Sequence, residues 1–102
     1  MKSNYDGVMA SSHPGVGDRE IREMLMHVVC PLVDHPDDVE IVLISDAESA
    51  VFCIQAHPKD LDQLIGRGGQ TARSLRTIVN ACGMKLGRRL SVDFVEKASR
   101  TQ

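Results

Sequence analysis

The sequence has no tryptophan, one tyrosine and two phenylalanines in 102 residues. The tyrosine, Tyr5, stands in a stretch without apolar periodicity, and Phe52 and Phe94 are far apart. Such poverty argues against surfaces that read nucleic acid by stacking bases on aromatic platforms. Cysteine is scarce too: Cys30, Cys53 and Cys82 are odd in number, form no C-x-x-C pair and sit in apolar patterns, so they read as buried thiols of a reducing compartment. His27 with Cys30, and Cys53 with His57, lack the second half of a zinc pattern, so no metal and no cofactor is expected. No apolar run is long enough to cross a bilayer, and the N-terminus lacks the h-region of a signal peptide, which together point to a cytoplasmic domain. No Ser/His/Asp or Cys/His arrangement supports catalysis, and the expected class is non-enzymatic.

What is present is unevenly distributed. The formal charge of -2 hides ten acids against three bases from Asp18 to Asp60, and three acids against eight bases from Leu61 to Gln102. A basic half of this kind attracts an anion while the acidic half keeps the protein soluble.

Met1 to Gly17 is rich in small and polar residues and reads as a flexible tail; residues 98–102 read as a second, and 18–97 as one domain. Asp18 is placed to cap a helix whose apolar positions are Ile21, Met24, Leu25, Val28, Val29, Leu32 and Val33. Pro31 strains its end, and D-H-P-D-D at Asp34 to Asp38 stops it. Val39 to Ser45 and Ala50 to His57 read as an antiparallel hairpin turning at D-A-E-S. Pro58 opens a short helix that Gly66 ends in a left-handed conformation. A second helix carries Ala72, Leu75, Ile78, Val79, Cys82 and Leu86 on one stripe and stops at Gly87. Gly83 inside it marks a close approach by another element. Leu90, Val92 and Phe94 alternate with Ser91, Asp93 and Val95 as a last, half-buried strand. The order is α-β-β-α-α-β, an α+β fold with one three-stranded sheet covered by helices on one face.

Between the two later helices lies Ile65-Gly66-Arg67-Gly68-Gly69. Glycines at the start of a helix expose amides that have no intrahelical acceptor, with the positive end of the helix dipole behind them, which makes an anion site. Arg67 adds charge at the tip, Arg73 lies near enough for an adjacent phosphate, and Arg76 lies farther along. A P-loop fails for want of its lysine and hydroxyl pair, and a dinucleotide fingerprint fails because Thr71 takes the third glycine position.

The I-G-x-x-G pattern in this element order resembles the type II (prokaryotic) KH domain. L-V-D-H-P-D-D-V-E-I at Leu32 to Ile41, L-I-G-R-G-G-Q-T-A-R-S-L-R-T-I-V-N-A at Leu64 to Ala81, and L-G-R-R-L-S-V-D at Leu86 to Asp93 extend the resemblance to the KhpA (YlqC-like) family of small bacterial single-KH RNA-binding proteins. That resemblance implies single-stranded RNA as ligand, bound through Ile65, Gly66, Arg67, Gly68, Gly69, Arg73 and Arg76. It also implies a homodimer, a heterodimer with a Jag-type (KhpB, EloR) partner, and a part in post-transcriptional regulation or in cell division and envelope growth. The sequence departs from the family pattern at Gly68 and Gln70, where larger polar or basic residues are common, so fewer phosphate contacts and a flatter salt dependence are expected.

Overall fold

A computed structural model describes residues 17–97. The tails expected at either end lie, apart from Gly17, outside the described residues. Helix α1 spans Asp18–Val29, strands β1 and β2 span Glu40–Ser45 and Ser49–Ala56, helices α2 and α3 span Pro58–Ile65 and Gln70–Leu86, and strand β3 spans Arg89–Glu96. The order α-β-β-α-α-β is as expected.

The sheet runs β1-β2-β3, antiparallel between β1 and β2 and parallel between β2 and β3. The parallel pairing follows from the connection: α2 and α3 carry the chain back along the sheet before β3 begins. Strand β2 alternates between half-buried and buried residues, and Ala50, Phe52, Ile54 and Ala56 point into the core. Leu25 and Val29 of α1, Leu64 of α2, Val79 of α3 and Val92 of β3 complete it, each almost fully buried. Burying one such aliphatic side chain contributes about 1.5–3 kcal/mol.

Helix α1 is shorter than its apolar pattern suggests. It ends at Val29, and Pro31 falls inside a 3-10 turn, Cys30–Leu32. Proline has no amide to donate and its ring crowds the preceding turn, so a tighter turn replaces the last α-helical one. Val28 and Leu32 are 39% exposed and Ile78 of α3 is 46% exposed. These three are therefore corrections to the expected stripes, whose buried members are Ile21, Leu25, Val29 and Val33 on one side and Ala72, Leu75 and Val79 on the other. The cysteines are half-buried rather than buried, and none forms a disulfide among the described residues.

Asp18 does not cap α1. The cap position is Gly17, at φ 82, with no side-chain hydrogen bond. The Asp18 carboxylate instead binds the Arg88 guanidinium, and Ser45 Oγ donates to it at 2.8 Å. Arg88 also reaches Ser45 Oγ at 3.1 Å and the carbonyls of Asp46 and Ser49 at 2.7 and 3.3 Å. Here the start of α1, the β1–β2 turn and the start of β3 are tied together. The turn is itself set by Asp46, whose carboxylate accepts the Glu48 and Ser49 amides at 2.9 Å, and those bonds hold its pKa below the ordinary value.

At the opposite end of β2, His57 Nδ1 accepts the Lys59 amide at 3.0 Å and so caps α2, with Pro58 at the first helical position as expected. The His57 ring stacks on His35, centroids 4.2 Å apart. The buried Asp60 carboxylate receives the amides of Asp34 and His35, at 3.2 and 2.9 Å, and His35 Nδ1 at 3.0 Å. Desolvation alone raises the pKa of this carboxyl, but its His35 and amide hydrogen bonds outweigh that and lower it. Since the folded value lies below the unfolded one, the stabilisation is complete above the ordinary carboxylate range and is lost as pH falls through the folded value. Urea midpoints are accordingly expected to fall as pH drops below the ordinary carboxylate range, with the gap between the native protein and Asp60→Asn narrowing as it does. A gap that stays constant contradicts the network's role.

Candidate functional site

Helix α2 ends at Ile65, half-buried, because Gly66 takes φ 87 and ψ 167. This is a positive-φ extended conformation and not the left-handed helical one expected. A Cβ at Gly66 would lie 2.6 Å from Thr71 Oγ1 and 3.0 Å from the Thr71 amide nitrogen, so both conformation and space require glycine. The left-handed residues are the next two glycines, Gly68 at φ 63 and ψ 19 and Gly69 at φ 74 and ψ 18.

With those angles, Arg67–Gly69 closes a 3-10 turn onto the start of α3. The Gly69 amide donates to the Gly66 carbonyl at 3.0 Å, and the Gln70 amide to the Arg67 carbonyl. Two of the amides expected to be open are thus used within the turn. The Arg67 and Gly68 amides make no backbone hydrogen bond to another element among the described residues, and no atom lies within 4 Å of where a Gly68 Cβ would be. At Gly68 the loop tip is exposed backbone.

Arg67, Arg73 and Arg76 are all exposed. Arg73 Nη1 donates to the Gly68 carbonyl at 2.8 Å, so this side chain braces the loop that it was expected to flank. Arg76, three residues on and on the same helical face, donates from Nε to the Val92 carbonyl of β3 at 3.2 Å, with its guanidinium 5.6 Å from the centre of the Phe94 ring. The loop, the first two turns of α3 and the outer edge of β3 therefore bound one shared surface. Ile65 is half-buried at its loop end, and the Phe94 ring lies beneath Arg76.

All seven residues singled out in the sequence belong to this surface. Sequence reasoning missed Thr71, which occupies the space a Gly66 Cβ would need, and the Val92 carbonyl and Phe94 ring that hold Arg76. The i, i+3 spacing of Arg73 and Arg76 gave the face, but nothing local gives the position of β3 beside it. Arg88, one of the eight bases of the second half, is only 6% exposed and adds no surface charge. An open depression of about 540 Å³ lined by Asp46, Gly83, Met84 and Arg89 lies at the far end of α3, away from the loop. No group of three or more metal-ligating side chains occurs among the described residues, and none of their helices is long and apolar enough to cross a membrane.

The profile of the family described as KhpA/KhpB, KH domain, matches residues 22–94. A protein named RNA-binding protein KhpA from Leifsonia xyli subsp. xyli is 47% identical over 72 residues, 71% of this chain and 92% of that one. The protein of the same name from Streptomyces coelicolor is 43% identical over 76 residues, 74% of this chain and 92% of its own. That of Bacillus subtilis is 29% identical over 79 residues, covering 78% and 98%.

Proposed function

The chain belongs to the KhpA/KhpB KH-domain family, and from that premise we propose that it binds single-stranded RNA, with the Gly66–Gly69 loop holding phosphates and Ile65 contacting bases. One observation carries this reading: Gly68, with no Cβ to obstruct approach, stands in open space at the loop tip beside three exposed arginines. Backbone donors and guanidinium groups are what phosphate oxygens require. KH loops clamp about four nucleotides in this way. The function is binding without catalysis, in post-transcriptional regulation, as a homodimer or with a Jag-type partner.

The test is fluorescence anisotropy with short single-stranded RNA and matched DNA over a salt series. Each phosphate contact on a single strand contributes about -0.7 to the slope of log K against log salt. Arg67→Ala is expected to reduce that slope by about 0.7 with a loss of affinity of a few fold. A slope near zero in the native protein, or one that Arg67→Ala leaves unchanged, counts against the loop as the phosphate site.

A second reading, in which the chain is mainly a protein-interaction subunit, draws on Ile78 and Met84 of α3, which are 46% and 84% exposed. In that case RNA affinity stays weak in isolation and appears only when a partner is added.

A further inference from the structure

Arg76 is unusual among the three arginines because its place is fixed at two points: Nε is bonded to the Val92 carbonyl and the guanidinium lies over Phe94. The amides of Arg89 and Lys97 point inward, donating to the carbonyls of Glu48 and Ala56 at 2.9 Å. Strand residues alternate, so Leu90, Val92, Phe94 and Glu96 turn their amides and carbonyls to the outer edge of β3. The Val92 carbonyl taken by Arg76 is one of that row, which leaves the carbonyls of Leu90 and Phe94 beside it.

This places a fork of guanidinium N–H donors, Nη1 and Nη2, next to carbonyl acceptors on a rigid strand. Arg76 lies six residues into α3 from Gln70, about 9 Å along its axis, within reach of a four-nucleotide clamp. A base complementary to this edge offers two adjacent acceptors and one donor next to them. Cytosine does, through O2 and N3 with N4–H2 alongside. Uracil presents N3–H where the fork needs an acceptor, and adenine presents N6–H2 beside N1, so each of them sets a donor against a donor.

We propose that Arg76, held by the Val92 carbonyl and the Phe94 ring, is a specificity-determining residue that makes this site prefer cytosine over uracil and adenine. The inference rests on the RNA-binding reading above. It goes beyond that reading by assigning a base preference to an edge the phosphate contacts do not touch.

The experiment compares hexamers of cytidine, uridine and adenosine by anisotropy at one salt concentration and neutral pH. A well-made bidentate contact discriminates by 1–3 kcal/mol, so the native protein is expected to bind the cytidine hexamer about tenfold more tightly than the uridine one. Arg76→Lys keeps the charge and loses the fork, so the ratio of cytidine to uridine affinity is expected to fall to about one, whatever the change in overall affinity. Phe94→Leu keeps the apolar bulk, frees the guanidinium and reduces the preference in part. Equal binding of cytidine and uridine hexamers by the native protein overturns the base preference and leaves RNA binding standing. A preference that survives in Arg76→Lys overturns the role of Arg76, and binding to none of the three hexamers brings down the RNA reading along with it.

Discussion

Replacing Arg88 with methionine is expected to lower the free energy of unfolding by about 3–5 kcal/mol, the usual effect of removing one partner from a buried ion pair. The side chains of Arg88 and Asp18 are 6% and 0% exposed. Without the guanidinium, a carboxylate inside the fold loses its counter-charge, and the carbonyls of Asp46 and Ser49 lose a donor. A domain of this size loses about 4–8 °C of midpoint per kcal/mol, so a drop of roughly 12–40 °C is expected by circular dichroism. Marginally stable proteins have little more than that to lose. The double variant Asp18→Leu, Arg88→Met removes both charges at once and is expected to recover most of the loss, because apolar replacement of a whole buried pair is often neutral. A single-variant loss under about 1 kcal/mol would mean that water reaches the pair.

The second large effect is on binding. Arg67→Asp with Gly68→Asp is expected to weaken single-stranded RNA binding by roughly 30-fold or more, since like charges placed against phosphate cost several kcal/mol. The substitution is aimed where the fold tolerates it. Gly68 has φ 63 with no atom within 4 Å of a Cβ, and aspartate is among the side chains that visit the left-handed region, at about 1 kcal/mol. Gly66 offers no such freedom, because any Cβ there meets Thr71. A double variant that keeps native circular dichroism and binds RNA as the native protein does would remove the loop from the site and favour the protein-interaction reading.

Local chemistry made much of this protein legible. An apolar run beyond a turn gave β2, alternation of apolar residues gave β3, Pro58 gave the start of α2, and Gly87 at φ 69 gave the stop of α3. Gly83 was read as a close approach, and a Cβ there would indeed lie 2.6 Å from the Arg88 carbonyl oxygen. What escaped was nonlocal. Capping rules assign Asp18 to its own helix, whereas its partner lies 70 residues away. Periodicity fixes a stripe but not its width, which depends on the neighbour, so Val28, Leu32 and Ile78 were placed inside the core and lie at its margin. The loop residues were legible from glycine spacing. Which amides remain open depends on a turn geometry that spacing does not encode, and the hold on Arg76 depends on the position of β3 beside α3.

A three-stranded sheet leaves two edges, and each has a guanidinium on a carbonyl: Arg22 Nε on Ile41 of β1 at 3.1 Å, and Arg76 Nε on Val92 of β3 at 3.2 Å. An unprotected edge is a template for another chain's strand, and a charged side chain laid across it is a known deterrent to aggregation. The two arginines therefore act as guards against cross-β growth at both edges of a small, three-stranded sheet.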